Sequence, residues 1–322
     1  MNSSNKAFRS PLRHNLVAPL RLLFEISFMY RFILKAYYVL TVPIAIFFIL
    51  NSAVIHPAYK LSFLKKQWLG LRMFLNKLRI PTGTSYKSHL AMALKIFETP
   101  PDVTGDVVEC GTWMGGSAAN LSLVCKIAGR KLRIFDSFAG LPKGSEEDRQ
   151  AAVYAPGDYQ GSIETVKKNI ERFGVIEVCE FVEGWFDQTL PQLNKPILLA
   201  FIDVDLELSL ETCVRFIWPN LTERGYIFID EYMGLDYCSI FWSEEYWKRY
   251  FQRIPPGLVG AGVGLPLGEY YVGPWDENAQ HPLHHPNGAA YTRKDFSGHW
   301  VHFPVSDHLG AANDRSMNSK VA

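Results

Sequence analysis

The sequence predicts an α/β protein with a doubly wound, mostly parallel sheet, and two observations carry that prediction. Residues 105–117 contain a short apolar run, an acid (Glu109) and then a glycine-rich turn. This order is typical of a buried strand that turns sharply into a helix. Residues 197–202 (Ile-Leu-Leu-Ala-Phe-Ile) form an uninterrupted apolar run, as expected of a central parallel strand covered on both faces.

The charge distribution divides the 322-residue chain into a basic first third and an acidic remainder. Residues 1–97 contain 14 of the 33 Lys and Arg residues but only one acid, Glu25. We predict three parts: a helical segment over residues 1–80, a main α/β domain over 81–275 and a partly disordered C-terminal extension over 276–322. A basic arm of this kind usually meets nucleic acid or an anionic membrane.

The apolar content of the N-terminal segment favours a membrane as its partner, and the segment holds no recognisable nucleic-acid-binding motif. Residues 36–59 carry no charge and are long enough to cross a bilayer, which takes about 20 residues. Pro43 interrupts this run, and basic flanks on both sides leave a single crossing without a preferred orientation. We therefore expect a re-entrant hairpin or in-plane helix at the cytoplasmic face of an anionic membrane. The alternatives are a true span and a set of helices buried in a dimer interface.

The cysteines indicate a reducing compartment. The chain has five, without any Cys-x-x-Cys pair, and this pattern predicts neither a disulfide framework nor a zinc site. We expect each to be a small buried core residue.

The glycine-rich turn and the acid that closes the next strand predict a nucleoside-type cofactor site. A helix from Ser117 to about Ala128 would direct its first backbone N–H groups at a ligand over the turn. The second strand, residues 131–135, ends in Asp136, at the spacing expected of an acid that accepts hydrogen bonds from ribose hydroxyls. The alternative for an isolated strand-end Asp is a turn or cap residue.

The rest of the main domain alternates predicted strands and helices. Residues 139–161 form a polar, Gly/Pro-rich loop that is long enough for a substrate lid. The predicted helices cover residues 85–98, 162–173 (capped by Ser162 and ended by Gly174), 206–218 and 243–254. The predicted strands cover 178–182 and 226–229, with a last hairpin within 257–273.

Acids follow two neighbouring strands of the predicted sheet. The apolar run at 197–202 is followed by Asp203 and Asp205, and the next strand is followed by Asp230 and Glu231. Because ligands bind at the carboxyl ends of such strands, we expect these acids at one functional edge. Four acids without nearby Lys or Arg would repel one another unless a cation joined them, and an all-oxygen set suits Mg²⁺.

Five segments in the same order resemble the macrocin O-methyltransferase family, S-adenosylmethionine-dependent enzymes that methylate sugar hydroxyls of macrolide and aminocoumarin antibiotics. The segments are residues 107–117, 136–142, 183–191, 201–206 and 225–232. The resemblance covers about half of the chain. It implies a class I methyltransferase (Rossmann-like) fold, with a seven-stranded sheet that has one antiparallel edge strand.

The resemblance also implies roles for individual residues. The cofactor-binding residues would be Glu109, Gly111, Gly115, Gly116 and Ser117 around the methionine portion, Asp136 and Ser137 near the ribose, and Trp185 beside the adenine. The metal ligands would be Asp203, Asp230 and Glu231, the last of which stands where a second Asp is expected. Asp205 would support the ligands or cap the following helix.

These roles predict an O-methyltransferase in which Asp203 is the catalytic residue. Coordination to Mg²⁺ would lower the pKa of a sugar hydroxyl, and Asp203 could take its proton. The expected acceptor is a vicinal diol of a sugar, a glycosylated metabolite or an envelope glycan. One alternative is a metal-dependent glycosyltransferase that uses Asp203-Val204-Asp205. Another is a non-catalytic, membrane-anchored binding protein with the same fold.

The C-terminal fifth departs from the family pattern. Six of the nine histidines follow residue 280, and the group His281, His284 and His285 could bind a transition metal. No structural frame is evident around this group, which favours a solvated or substrate-facing tail. The aromatic-rich helix at 243–254 is typical of a core or subunit contact, and we expect a homo-oligomer.

Overall fold

A computed structural model describes residues 29, 32, 33, 36, 39–50, 54–144, 154–230, 235–260 and 289–295. Glu231, most of the predicted hairpin at 257–273 and the six C-terminal histidines lie outside the described residues. The chain divides into two compact units, Met1–Val42 and Pro43–Ala322. The described residues of the first unit are helical, and the second unit contains the sheet.

The sheet has seven strands in the order β3-β2-β1-β4-β5-β7-β6. Strands β1 to β5 are parallel, and β7 runs antiparallel to both β5 and β6. The strands are β1 (Asp106–Cys110), β2 (Leu132–Asp136), β3 (Cys179–Glu183), β4 (Ile197–Ile202), β5 (Leu221–Ile229), β6 (Val259–Gly260) and β7 (Ala290–Arg293). The order of strands reverses between β1 and β4, which is the point where doubly wound sheets bind ligands.

Helices cover both faces of the sheet, and four begin at a serine whose hydroxyl accepts a hydrogen bond from the first turn. These N-caps are Ser62, Ser85, Ser162 and Ser243. The helices are α1 (Phe63–Lys77), α2 (Tyr86–Glu98), α3 (Gly116–Ala128), α4 (Ile163–Phe173), α5 (Phe186–Thr189), α6 (Glu207–Asn220), α7 (Leu235–Cys238) and α8 (Glu244–Phe251). The predicted start and end of α4, at Ser162 and Gly174, are confirmed.

The central position predicted for the run at 197–202 is confirmed, because all six residues of β4 are buried. Ala200 and Ile202 pack in the core that includes α6, whereas the ring of Phe201 lies 6.3 Å from His89 of α2 on the other face. Four of the cysteines are buried and Cys179 is half-buried, and all five are free thiols.

Three boundaries differ from the sequence analysis. β7 lies at 290–293, so the sheet includes residues from the predicted C-terminal extension. α1 comes from the predicted N-terminal segment, yet its Asn76 donates a hydrogen bond to Asn120 of α3 at 2.9 Å. α6 includes Pro219 in its last turn, although a proline there removes one helical hydrogen bond. Contacts between distant segments decide the first two differences, and local sequence patterns do not record such contacts.

Within the described residues, no helix combines the length and the apolar character needed to cross a membrane. Residues 43–50 of the predicted membrane run are helical, and Ala45, Ile46 and Leu50 are buried against the protein.

Candidate active site

The turn after β1 brings the ends of β1 and β4 into close contact. The backbone N–H of Asp203 donates to the carbonyl oxygen of Cys110 at 2.9 Å. Gly111 has a φ of +82°, and a Cβ at this position would overlap the carbonyl oxygen of Asp203. The protein's own backbone therefore requires glycine at position 111.

Gly115 and Gly116 allow the start of α3 to pack closely against its neighbours. Gly115 has a φ of +81°, and a Cβ added there would lie 3.0 Å from Val166 of α4. A Cβ on Gly116 would lie 2.7 Å from the Cβ of Thr82. The predicted cofactor contact is one reason for glycine at these positions, and close packing within the protein is a second. Ser117 follows as a buried residue of α3.

Glu109 is fully buried near the end of β1. Its Oε2 accepts a hydrogen bond from the Thr112 hydroxyl at 3.3 Å, whereas its buried Oε1 accepts none from the described residues. Burial raises the pKa of Glu109 to about 8; the nearby Ser117 hydroxyl, which forms no hydrogen bond to Oε1, and the Thr112 hydroxyl oppose this rise, and the charge of Asp136 adds to it. The carboxyl group is therefore largely protonated at neutral pH unless a positive group approaches it.

Asp136 connects the end of β2 to the glycine-rich turn. Its Oδ2 accepts a hydrogen bond from the N–H of Thr112, and its Oδ1 accepts one from the N–H of Phe138, each at 2.7 Å. Burial raises the pKa of Asp136 above its ordinary value, and the backbone N–H groups of Thr112, Phe138 and Trp113 limit the rise. Asp136 therefore acts as a turn residue, the alternative role considered for it above. Each carboxylate oxygen retains a second lone pair for another donor.

Ser137 follows Asp136 in the chain, and Trp185 lies near it in space. The Ser137 hydroxyl donates to the carbonyl of Gly140 and accepts from the N–H of Ala139, each at 3.1 Å, so it shapes its own turn. The N–H of Gly184 donates to the carbonyl of Asp136 at 2.9 Å. This bond places the half-buried Trp185, at the start of α5, close to the end of β2.

Asp203 and Asp230 directly follow two paired parallel strands. Ile202 of β4 is opposite Ile229 of β5, so the two acids that come next stand side by side at the carboxyl edge. Asp230 is buried and Asp203 is half-buried. The third predicted ligand, Glu231, lies outside the described residues. Within the part of the chain that the structure describes, no group of three or more His, Cys, Asp or Glu residues could hold a metal ion.

Asp205 contacts the predicted substrate loop instead of capping α6. It has a left-handed φ of 57°, and its carboxylate accepts a hydrogen bond from the Tyr154 hydroxyl. Burial raises the pKa of Asp205 to about 6, the Tyr154 hydrogen bond opposes this rise, and the charge of Asp158 adds to it. The N-cap of α6 is Leu206, without a capping side chain, so the capping role predicted for Asp205 is wrong.

The same loop packs on the glycine-rich turn through aromatic rings. The Tyr159 ring lies 5.4 Å from Trp113 and 5.8 Å from Tyr154. Gly161 lies so close that a Cβ would overlap the carbonyl oxygen of Trp113. The sequence alone does not predict these ring contacts, because aromatic contacts between distant segments leave no local periodicity.

The strand order, the glycine-rich turn after β1 and the acid at the end of β2 together define a class I, Rossmann-like methyltransferase fold. A family profile described as "Macrocin-O-methyltransferase (TylF)" matches residues 83–253, which is more than half of the chain. The chain belongs to this family of S-adenosylmethionine-dependent methyltransferases, and the predicted resemblance is confirmed.

Individual relatives match the central part of the chain. The 8-demethyl-8-(2,3-dimethoxy-alpha-L-rhamnosyl)-tetracenomycin-C 4'-O-methyltransferase of Streptomyces olivaceus is 33% identical over 42% of this chain. The demethyldecarbamoylnovobiocin O-methyltransferase of Streptomyces niveus is 29% identical over 43%. The match spans 56% of the length of each relative. The solved structure of the O-methyltransferase NovP is 22% identical, with a TM-score of 0.47 over 60% of this chain and 73% of that chain.

Proposed function

We propose that the protein transfers a methyl group from S-adenosylmethionine to a hydroxyl group of a sugar, a glycosylated metabolite or an envelope glycan. Family membership supports the reaction type. The names of the relatives from Streptomyces olivaceus and Streptomyces niveus describe O-methyltransferases, and the first name includes a rhamnosyl group. These names support a glycoside as the acceptor class.

The observation that carries the proposal is the buried Oε1 of Glu109, which accepts no hydrogen bond from the described residues. A buried carboxylate is costly unless a positive or hydrogen-bonding group satisfies it. The ammonium group at the methionine end of S-adenosylmethionine fits this requirement, and the cofactor supplies an electrophilic methyl group when bound. Asp136, with a spare lone pair on each carboxylate oxygen, would accept from the ribose. Trp185, near Asp136, would pack beside the adenine.

We propose the acids after β4 and β5 as the acceptor site. The adjacency of Asp203 and Asp230 in register fits a hard divalent cation such as Mg²⁺, and Glu231 would complete the oxygen set. When bound, the cation supplies positive charge that makes a nearby hydroxyl more acidic. Asp203 would orient the acceptor hydroxyl and take its proton, because a neutral sugar hydroxyl is a weak nucleophile.

Attachment of the basic N-terminal segment to the cytoplasmic face of an anionic membrane, and assembly into a homo-oligomer, are further parts of the proposal. Their support is the charge distribution, with one acid among the first 97 residues, and the uncharged run at 36–59.

Titration calorimetry of the full chain tests the reaction class. We expect S-adenosylmethionine to bind with or without Mg²⁺, because Glu109 and Asp136 lie on strands other than those that carry the proposed metal ligands. A nucleotide sugar should not bind in either condition. Mg²⁺-dependent binding of UDP-glucose without binding of S-adenosylmethionine would support the glycosyltransferase alternative and refute the proposal.

A further inference from the structure

An apolar stripe lies on the outer face of α1, opposite the face that packs on the protein. Leu64, Trp68 and Leu71 occupy positions i, i+4 and i+7 and are 75%, 63% and 37% exposed. The opposite stripe of α1, which includes Leu69 and Met73, is buried. Apolar residues at helical spacing usually face a core. Here two such stripes lie on one helix, and Leu64 and Trp68 of the outer one are largely exposed.

The neighbouring helical residues 43–50 extend the outer stripe. Ile46 packs so closely on α1 that a Cβ on Gly70 would lie 2.6 Å from its side chain. Next to this contact, the Phe47 ring lies 6.3 Å from Phe63 and 5.7 Å from Phe48. Phe48 is 73% exposed. The exposed rings of residues 43–50 therefore continue onto the start of α1 and form one surface with its stripe.

We define the α1 surface by these exposed apolar residues and by the cations beside them. The apolar members are Ile44, Phe47, Phe48, Phe63, Leu64, Trp68 and Leu71. The cations are Lys60, Lys65, Lys66 and Lys126, and none of them forms an ion pair with a described carboxylate. Residues 43–97 contain no Asp or Glu, so the segment that builds most of this surface carries only positive formal charge at neutral pH.

A groove of about 320 Å³ opens on this surface between α1 and α3. Trp68 and Ile127 contribute apolar walls, and Lys65, Arg72 and Lys126 lie around the groove. The lining suits an apolar chain with an anionic head group, because apolar and cationic side chains line the same groove. Phosphate and carboxylate head groups are the anions that Lys and Arg bind most readily.

We propose that the α1 surface docks, in the plane of the interface, on an anionic phospholipid membrane. Aromatic and leucine side chains beside lysines are the composition of helices that bury one face at the headgroup boundary and bind anionic lipids. This surface consists mainly of α1 together with Ile44, Phe47 and Phe48 of the uncharged run at 36–59, so it deepens the membrane attachment proposed above. The proposal does not depend on the reaction that the protein catalyses.

Charge selects a membrane over a second copy of the chain. In a two-fold symmetric dimer the same patch meets itself, so the cations of the α1 surface would face one another. No acid from residues 43–97 would offset that repulsion. An anionic lipid surface instead attracts each of these cations.

Docking here leaves the candidate active site accessible. Lys126 and Ile127 lie at the C-terminal end of α3, whereas the glycine-rich turn lies at its N-terminal end. About ten residues of helix separate them, which corresponds to roughly 15 Å.

Vesicle co-sedimentation of the full chain tests the proposal. We expect binding to vesicles of phosphatidylcholine with phosphatidylglycerol, and much weaker binding to phosphatidylcholine alone or at high salt. Two double variants, Leu64→Ser/Trp68→Ser and Lys65→Glu/Lys126→Glu, should each bind at least about tenfold more weakly. The matched controls are Ile254→Ser, 72% exposed, and Lys248→Glu on α8, at positions outside the α1 surface.

Circular dichroism and analytical ultracentrifugation of the same proteins distinguish a loss of membrane docking from misfolding and from a change in oligomeric state. The substituted side chains are exposed or line an open groove, so all variants should keep the wild-type melting temperature. Wild-type vesicle binding by both double variants would overturn the proposal. So would a wild-type dimer that binds no vesicles and that the Leu64→Ser/Trp68→Ser variant converts to a monomer, because the stripe would then be a subunit contact.

Discussion

The acids at the carboxyl edge of the sheet have different surroundings in its two halves. One half is formed by the ends of β1 and β2, and the other by the ends of β4 and β5. At the ends of β1 and β2, Glu109 and Asp136 lie among N–H and hydroxyl donors of one turn, and Thr112 alone donates to both. At the ends of β4 and β5, Asp203 and Asp230 continue two paired strands and stand beside each other. The first half gathers donors of one turn around its two acids, whereas the second half places two acids directly after neighbouring parallel strands.

The proposed function assigns a different role to each half. A carboxyl group with one oxygen left to satisfy selects a single positive group, as expected for a cofactor that is held but not changed at that end. Adjacent carboxylates attract a cation and can accept a proton, as expected where bonds are made and broken. Gly111 joins the halves, since its backbone contacts the Asp203 carbonyl directly.

The largest expected effect on activity comes from a substitution at the end of β4. Asp203→Asn should reduce methyl transfer by about 10²–10⁴-fold, because it removes the proposed proton acceptor. Transfer of radiolabelled methyl groups from S-adenosylmethionine to a panel of glycosides measures the rate. Binding of S-adenosylmethionine, measured by calorimetry, should be unchanged. Equal loss of cofactor binding would contradict the separation of the two halves.

The next largest effect, on cofactor binding, comes from a substitution near the end of β1. Glu109→Gln should weaken the binding of S-adenosylmethionine by about 10–100-fold, since hydrogen bonds to charged groups contribute about 1.5–3 kcal/mol. At pH 7 the wild-type carboxyl group, with a pKa of about 8, must lose a proton to bind an ammonium group. Calorimetry in two buffers of different ionisation enthalpy should therefore detect about one released proton for the wild type and none for the variant.

The same variant should change the pH dependence of stability. The pKa of Glu109 rises from an ordinary value of 4.5 to about 8 on folding, so the folded state binds more protons between these pH values. The free energy of unfolding of the wild type should therefore fall as the pH rises through this window. Urea unfolding of Glu109→Gln should show a smaller fall. Identical slopes would show that this carboxyl group is not buried as described.

The smallest effect, on stability, comes from the contact between the loop at 139–161 and Asp205, which follows β4. Tyr154→Phe removes a hydrogen bond to Asp205 and should lower the free energy of unfolding by about 1 kcal/mol. The loss should be larger at pH 8 than at pH 5, because the hydroxyl stabilises the charged form of a carboxyl group whose pKa is about 6. Urea unfolding at both pH values measures it. Tyr250→Phe, at a surface position of α8, serves as the control and should have little effect.

Local sequence patterns predicted those elements that consecutive residues of the chain specify. The apolar run of β4, the serine cap of α4 and the acids that end β1, β2, β4 and β5 were all readable in order. These features were recognisable because a parallel strand that is buried on both faces is apolar throughout, and a capping residue bonds to the turn that directly follows it. β7 was not predicted, because its partner β5 lies more than 60 residues away in the chain.

The sequence by itself determined the fold class, the family and the residue types of the candidate site, since these depend on periodicity and on short motifs. Only the tertiary structure decided what each residue of the glycine-rich turn contacts. Gly111 is predicted to lie beside the cofactor, and the structure adds that its missing Cβ makes room for the Asp203 carbonyl. Glu109 was predicted to bind a cofactor, and the structure adds the burial that raises its pKa to about 8. Desolvation and close backbone contact arise from residues distant in sequence, so they become visible only when the strands are brought together.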